Sequence, residues 1–283
     1  MNPPIVDAHH HFWDPQRADY PWLAELGPIR RAFGPADLAP HLAARGVTRT
    51  VLVQTRSSLD ETREFLDLAG RTPFIAGVVG WVDLTNPGVA EEIARLRTGD
   101  GGRLLVGIRH QVEDEPDPGW LGRSDVRAGI AAVGAAGLVY DLLVRPEQLP
   151  AAVEVAKASP DIRFAVDHIA KPPIASGALE PWASRIRPLG ELDNVWCKVS
   201  GMVTEADWMG WDPADLQPYV DHVLEVFGPG RLLFGSDWPV CLLAGPYEGV
   251  FDAASKTLER LSATERDAVF GANATEVYRL TAG

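Results

Sequence analysis

The 283-residue chain carries 26 basic and 39 acidic residues, a formal net charge of −13 and an isoelectric point near 4.9. That balance excludes nucleic-acid backbones and anionic membranes as partners; no apolar run approaches the roughly 18 residues of a membrane span, and the N-terminus lacks a basic-then-apolar signal pattern. With 46% hydrophobic residues and two cysteines, neither in a CxxC arrangement, the composition is that of a globular protein, and a cytoplasmic, enzyme-like chain is the default expectation.

In chain order, Ile5 and Val6 lead into Asp7, Ala8 and three successive histidines. Side chains alternate along a strand, so His9 and His11 share one face and His10 turns to the other, towards a helical layer. Two imidazoles one pleat apart converge on one point, either a divalent metal or a reacting group. A loop rich in proline and charge (14–35) then leads to a short amphipathic helix, with Asp37 as N-cap and Gly46 as its stop. Further strands are predicted at 49–55, 74–84, 103–111, 137–144, 162–169, 194–201 and 231–239. Helices are predicted at 59–70, 86–97, 124–137, 146–160, 179–191 and 213–227, then at 248–261 and 264–280. Cys197 lies in an apolar run and reads as a buried thiol.

Eight strands, each followed by a helix at a spacing of about 30 residues, predict a single-domain (β/α)8 TIM barrel of the α/β class over residues 1–283. A doubly wound sheet is the rival, but the first turn carries no GxGxxG. In a barrel the working groups sit at the C-terminal strand ends. There the chain places His9 and His11, Gln54 and Arg56, Trp81 and Asp83, Arg109 with His110 and Gln111, and Tyr140 with Asp141. Asp167 and His168 follow, with Lys171 beyond them, then Lys198 and Ser200, and Ser236, Asp237 and Trp238. Alternation groups Gly235 with Asp237, Gly107 with Arg109, and His168 with Phe164 and Val166; the glycine beside Asp237 leaves room in a crowded barrel. Trp13, Trp120, Trp208, Trp211 and Trp238 lie in loop-like or strand-end surroundings. They suit either the stacking walls of a pocket or scattered core and surface positions.

The ordered set of H-x-H after strand one, His168 after strand six and Asp237 after strand eight resembles the amidohydrolase superfamily. More narrowly, the phrases VDAHHHFWDP, VGIRHQVEDEPDPGWL, YDLLV, VDHIAKPPI, NVWCKVSGMVTEADW, LLFGSDWPV and GANATEVYRL resemble its amidohydrolase-2-like group, which includes L-fuconolactonase and L-rhamnonolactonase type enzymes. The resemblance implies a hydrolase that opens a lactone ring, foremost a sugar aldono-1,4-lactone, with Asp237 and His168 catalytic. It implies His9, His11 and Asp237 as ligands of one divalent metal, zinc by preference. A metal-free version has His9, His11 and His168 donating hydrogen bonds to the carbonyl oxygen. Arg109 stands where binuclear members carry a carboxylated lysine, and Tyr140 and Asp141 where they carry a histidine, so one metal is the upper limit. Gln54, Arg109, His110, Tyr140, Lys171 and Trp238 are the candidate substrate-binding residues; salt bridges to nearby carboxylates are the alternative for Arg109, Lys171 and Lys198. A mononuclear-zinc decarboxylase, a hydrolase of a carboxylated lactone from aromatic breakdown, and a barrel that binds without turnover are the rival readings. Assembly into a homo-oligomer is left open.

Overall fold

In the computed structural model, which describes residues 3–281, every predicted strand is present and all lie parallel in the order β1 to β8. The alternating elements are β1 (Ile5–His10), α1 (Pro35–Arg45), β2 (Val47–Val53), α2 (Leu59–Arg71), β3 (Ile75–Gly80), α3 (Val89–Thr98), β4 (Leu105–His110) and α4 (Ser124–Ala135). They continue as β5 (Val139–Leu142), α5 (Leu149–Lys157), β6 (Phe164–Val166), α6 (Trp182–Gly190), β7 (Val195–Val199), α7 (Pro213–Phe227), β8 (Leu232–Phe234) and α8 (Tyr247–Thr257). The sheet curls until β1 meets the end of β8, where His11 N donates to Trp238 O at 2.7 Å and Asp237 N to His9 O at 2.8 Å. The result is a single-domain (β/α)8 barrel.

The alternation of side chains sorts the strands into two cores. Leu52, Val78, Ile108, Tyr140, Phe164, Val166 and Phe234 face the helices. Val51, Val53, Val79, Val139, Ala165 and Leu233 fill the barrel interior. Local signals mostly act as expected. Ser58 caps α2 by accepting from Glu61 N at 3.3 Å, and Gly46 ends α1 at a φ of 66°. Asp37, expected as the α1 N-cap, lies three residues further in. Gly34 is the cap, and the Asp37 carboxylate reaches back to accept from Gly34 N at 2.9 Å.

The predicted last helix is broken into α9 (Ala263–Asp267), a π-helical turn over Ala268–Ala272 and α10 (Asn273–Val277). Gly271 lies in that turn, and any side chain there would collide with the Pro4 carbonyl oxygen. Asn273 donates to the carbonyls of Pro229 and Leu232, both at 2.8 Å, which pins the segment beneath the start of β8. Ala274, Val277, Tyr278 and Leu280 thereby close the lower end of the interior core.

Candidate active site

Strand β1 does not alternate simply. Asp7 pairs with Thr50 and His10 with Leu52, so β1 carries one residue more than β2 across this step, a β-bulge. Ala8 belongs to the interior core and His9 also faces inward, while His10 turns out to accept or donate at Thr50 Oγ1, 2.9 Å away. Beyond the bulge the expected pairing holds: His9 Nε2 and His11 Nε2 lie 3.1 Å apart. Asp7 secures the bulge from behind, accepting from Ser236 N (2.9 Å), His9 N (3.2 Å) and Tyr247 Oη (3.2 Å). Burial raises its carboxyl to about 6 against the pull of those bonds.

On β6 the alternation argument needs correction. Phe164 and Val166 face the helices, and a continued strand would carry His168 there too. Instead His168, Ile169, Ala170 and Lys171 all take positive φ, between 47° and 60°, a left-handed turn that non-glycine residues rarely adopt. This reversal swings His168 over the barrel mouth, where its Nδ1 meets Ser200 Oγ at 2.9 Å. Asp237 also has a positive φ, 57°.

Asp237 Oδ1 lies 3.3 Å from His11 Nε2 and 3.8 Å from both His9 Nε2 and His168 Nε2, all in a buried setting. Burial works to raise this carboxyl, but His168, His11 and Lys171 outweigh it and hold it below the usual carboxylate range. Burial depresses the imidazoles: His168 falls to about 4 and His9 well below its ordinary value, so both are neutral near pH 7. His11 Nδ1 faces only a carbonyl acceptor, Val53 O at 2.8 Å, so Nδ1 carries a proton; in the neutral tautomer that this fixes, Nε2 presents its lone pair to the site. His9 Nδ1 lies between the Lys198 ammonium at 3.2 Å, a donor, and Asp167 Oδ1 at 3.3 Å, an acceptor. Whichever engages Nδ1 sets whether Nε2 offers a proton or a lone pair.

Beneath this layer lies a buried ionic stack in which sequence reasoning saw only separate strand-end groups. Lys198 Nζ contacts Asp141 at 2.5 Å and Asp167 at 2.8 Å; Arg109 bonds Asp167 at 2.9 Å and both oxygens of Gln54, at 2.5 and 3.0 Å. Two cations face two carboxylates, so the stack is neutral as a whole. Lys198, with the His9 imidazole and Arg109 beside it, more than offsets burial at Asp167 and holds it well below its usual value, whereas burial carries Asp141 up to about 6. The sequence put Asp141, Asp167 and Lys198 at strand ends, but no pattern marked them as one cluster.

A cavity of about 150 Å³ opens above, lined by His11, Arg109, His168, Lys171 and Asp237, together with Trp22 and Glu113. A larger recess of about 490 Å³, beside Pro4, Phe251 and Phe270, shares none of these residues. Lys171, expected at the mouth, is there, but it is paired to Glu113 at 2.6 Å. Arg109, also expected there, lines the cavity wall; the remaining four candidate substrate-binding residues lie elsewhere. Tyr140 alternates outward against Phe164 in the helix-facing core, so only its neighbour Asp141 points inward. His110 stacks on Trp120 at 4.3 Å, accepts from Trp81 Nε1 and donates to Glu115, so it is used up away from the cavity. Gln54 is buried under Arg109, and Trp238 packs edge-on against Phe12 and Phe33. Trp13 and Trp120 are likewise core residues, while Trp208 is exposed. The tryptophan that does reach the cavity is Trp22, from the proline-rich loop after β1. No periodicity flags a loop aromatic of this kind.

His9, His168 and Asp237 offer ligand atoms that all lie within 4.8 Å of one another, with His11 alongside, so the donor types and their convergence fit one divalent cation. His168 therefore joins the set expected from His9, His11 and Asp237. Among the described residues no helix is long and apolar enough to cross a membrane.

Residues 6–280 match the amidohydrolase family. The chain is 42% identical to the L-fucono-1,5-lactonase of Burkholderia multivorans, over 97% of this chain and 96% of that one. It is 25% identical to the L-rhamnono-gamma-lactonase of Scheffersomyces stipitis over 56% of this chain and 54% of that one. A crystal structure of an amidohydrolase from Burkholderia multivorans with bound zinc superposes with a TM-score of 0.92 at 40% identity, covering 98% of this chain and all of that one.

Proposed function

The chain belongs to the amidohydrolase family, and we propose that it is a lactonase that opens an uncharged sugar lactone of the L-fucono-1,5-lactone kind. The observation that carries the substrate class is the charge balance of the cavity. Both cations at its wall are already matched, Lys171 by Glu113 and Arg109 by Asp167, so among the described residues no free cation awaits a substrate carboxylate. A polyhydroxylated ring with acceptors and donors but no charge suits such a wall, with Trp22 available to cover a sugar face. Similarity to the L-fucono-1,5-lactonase supports the same class.

In the reaction, Asp237 is ionised at neutral pH and accepts a proton from the attacking water as the new C–O bond forms. Proton donors of the imidazole layer stabilise the carbonyl oxygen as it gains charge. When the ring C–O bond breaks, the proton held by Asp237 passes to the departing alkoxide, leaving the open hydroxy acid. A divalent ion held by His9, His168 and Asp237 would supply Lewis-acid polarisation and a more acidic water; the zinc-bound relative supports that reading. The 3.1 Å contact between His9 Nε2 and His11 Nε2 also permits a metal-free hydrogen-bonded pair, with His9 donating to the His11 lone pair. A cytoplasmic location accords with two buried cysteines that form no disulfide.

The test is a pH-indicator screen of sugar lactones and carboxylated lactones with the parent and Asp237→Asn. Loss of general-base catalysis is expected to cost about 10²- to 10⁴-fold in kcat. Retention of activity within a few fold would remove Asp237 from the role of base, and preference for carboxylated lactones would overturn the substrate class. Elemental analysis, with activity measured after chelation, separates the metal-bound from the metal-free version.

A further inference from the structure

We propose that Tyr278, five residues from the C-terminus, is a positioning residue for the catalytic centre, acting on His9 through Asp141 and Lys198. The proposal rests on the reading of His9 as a site residue. Tyr278 follows α10, the segment that seals the lower end of the barrel, and its ring enters the interior among Val79, Val139 and Ala165. Gly107 lies beside it: an added Cβ would make ordinary contact with the Tyr278 ring at 3.6 Å and would crowd Val139 O at 3.1 Å and Val79 at 3.2 Å. The phenol rises into the polar layer beneath the mouth, where its hydroxyl meets Asp141.

Its hydroxyl lies 2.9 Å from each oxygen of Asp141. Asp141 in turn holds Lys198 at 2.5 Å, and Lys198 reaches Asp167 at 2.8 Å and His9 Nδ1 at 3.2 Å. Tyr278, Asp141, Asp167, Lys198 and His9 are all buried, so water does not substitute for a lost link. The Lys198 ammonium also sits 5.5 Å from the centre of the Tyr278 ring, so the tyrosine cradles the lysine with its face as well as fixing the lysine's counter-ion. An apolar plug would need only the ring. The hydroxyl is aimed at the one carboxylate that anchors Lys198 from below, and Lys198 is one of the two groups that compete for His9 Nδ1. Removing the hydroxyl lets Asp141 and Lys198 settle differently. That shift moves His9 without altering any residue that lines the cavity.

The experiment compares the parent with Tyr278→Phe, which keeps the plug and deletes only the hydroxyl. On the sugar lactone turned over by the parent, kcat is expected to fall about tenfold with KM within twofold. Side-chain 15N NMR is expected to show displaced His9 ring nitrogens, with His41 and His222 unmoved. Asp141→Asn, which preserves shape and removes the charge facing Lys198, is expected to displace the same His9 signals. Unmoved His9 signals in both variants overturn the proposal, as does a Tyr278→Phe enzyme with kcat within twofold of the parent. The NMR comparison needs no substrate, so it decides the matter even where the lactonase reading fails.

Discussion

Replacing Gly235 by alanine tests the geometry of the site directly. Gly235 follows β8 on the inward face, between Leu233 and Asp237. A Cβ added there would stand 2.7 Å from His9 Cβ, 3.1 Å from Ser200 Cβ and 3.2 Å from His9 N. Carbon atoms rest at about 3.5 to 4.0 Å, so His9 must yield by about 0.8 Å. The colliding atoms belong to the root of the side chain and the backbone of β1, not to a flexible tip. Relief must therefore come from the strand that carries both His9 and His11. Overpacking of this kind costs about 1 to 3 kcal/mol of stability, and misplacing a catalytic group by about 1 Å costs on the order of 10²-fold in rate. Gly235→Ala should remain folded, with an unfolding free energy, read from urea titration, lower by that amount, and lose about 10- to 100-fold in kcat. Gly122→Ala is the control, since a Cβ at Gly122 meets nothing within 4 Å. If folded Gly235→Ala retains kcat within twofold, close packing of Gly235 on His9 does not set the catalytic geometry, and the reasoning fails.

Other outcomes follow from the same structure. His10 faces Thr50, and burial, with the nearby His11, lowers it to about 3 from 6.5. Below pH 6.5 the unfolded chain therefore binds a proton that the fold refuses, so stability falls as the pH drops from 6.5 towards 3. His10→Asn should flatten that slope by about 1.4 kcal/mol per pH unit between pH 6 and 4, read from urea titrations; an unchanged slope would show that His10 is not held neutral. Trp22→Ala removes an aromatic wall of the cavity and should raise KM for a sugar lactone by about 2- to 10-fold with kcat little changed. A fall in kcat alone would instead assign Trp22 to the chemistry.

The barrel and the residues of its mouth were legible in the amino-acid pattern. Hydrophobic strands at a steady interval leave few alternatives to a parallel ring, and in that ring the strand ends meet. His9, His11, His168 and Asp237 could thus be grouped although more than 220 residues separate the first from the last. Asp237 reaches the site expected of it, although its φ of 57° takes it off the extended path. Inward placement of Gly107 beside Arg109, within β4, was equally readable, because alternation holds wherever the backbone stays extended.

Tertiary structure decided what happens where it does not. The bulge after Asp7 brings Ala8 and His9 to the same side, and the left-handed turn from His168 to Lys171 turns His168 inward against its strand parity. Both depend on contacts from distant segments, Ser236 and Tyr247 at Asp7 and Ser200 at His168, which no local pattern encodes. The partners of the buried charges were likewise invisible. The sequence leaves Lys171 and Arg109 between substrate contact and salt bridge, and only the fold brings Glu113 and Asp167 to match them, because electrostatic partners are chosen by distance in space. The same holds for Tyr278, a C-terminal tyrosine that becomes part of the interior only when the last helix closes the barrel from below.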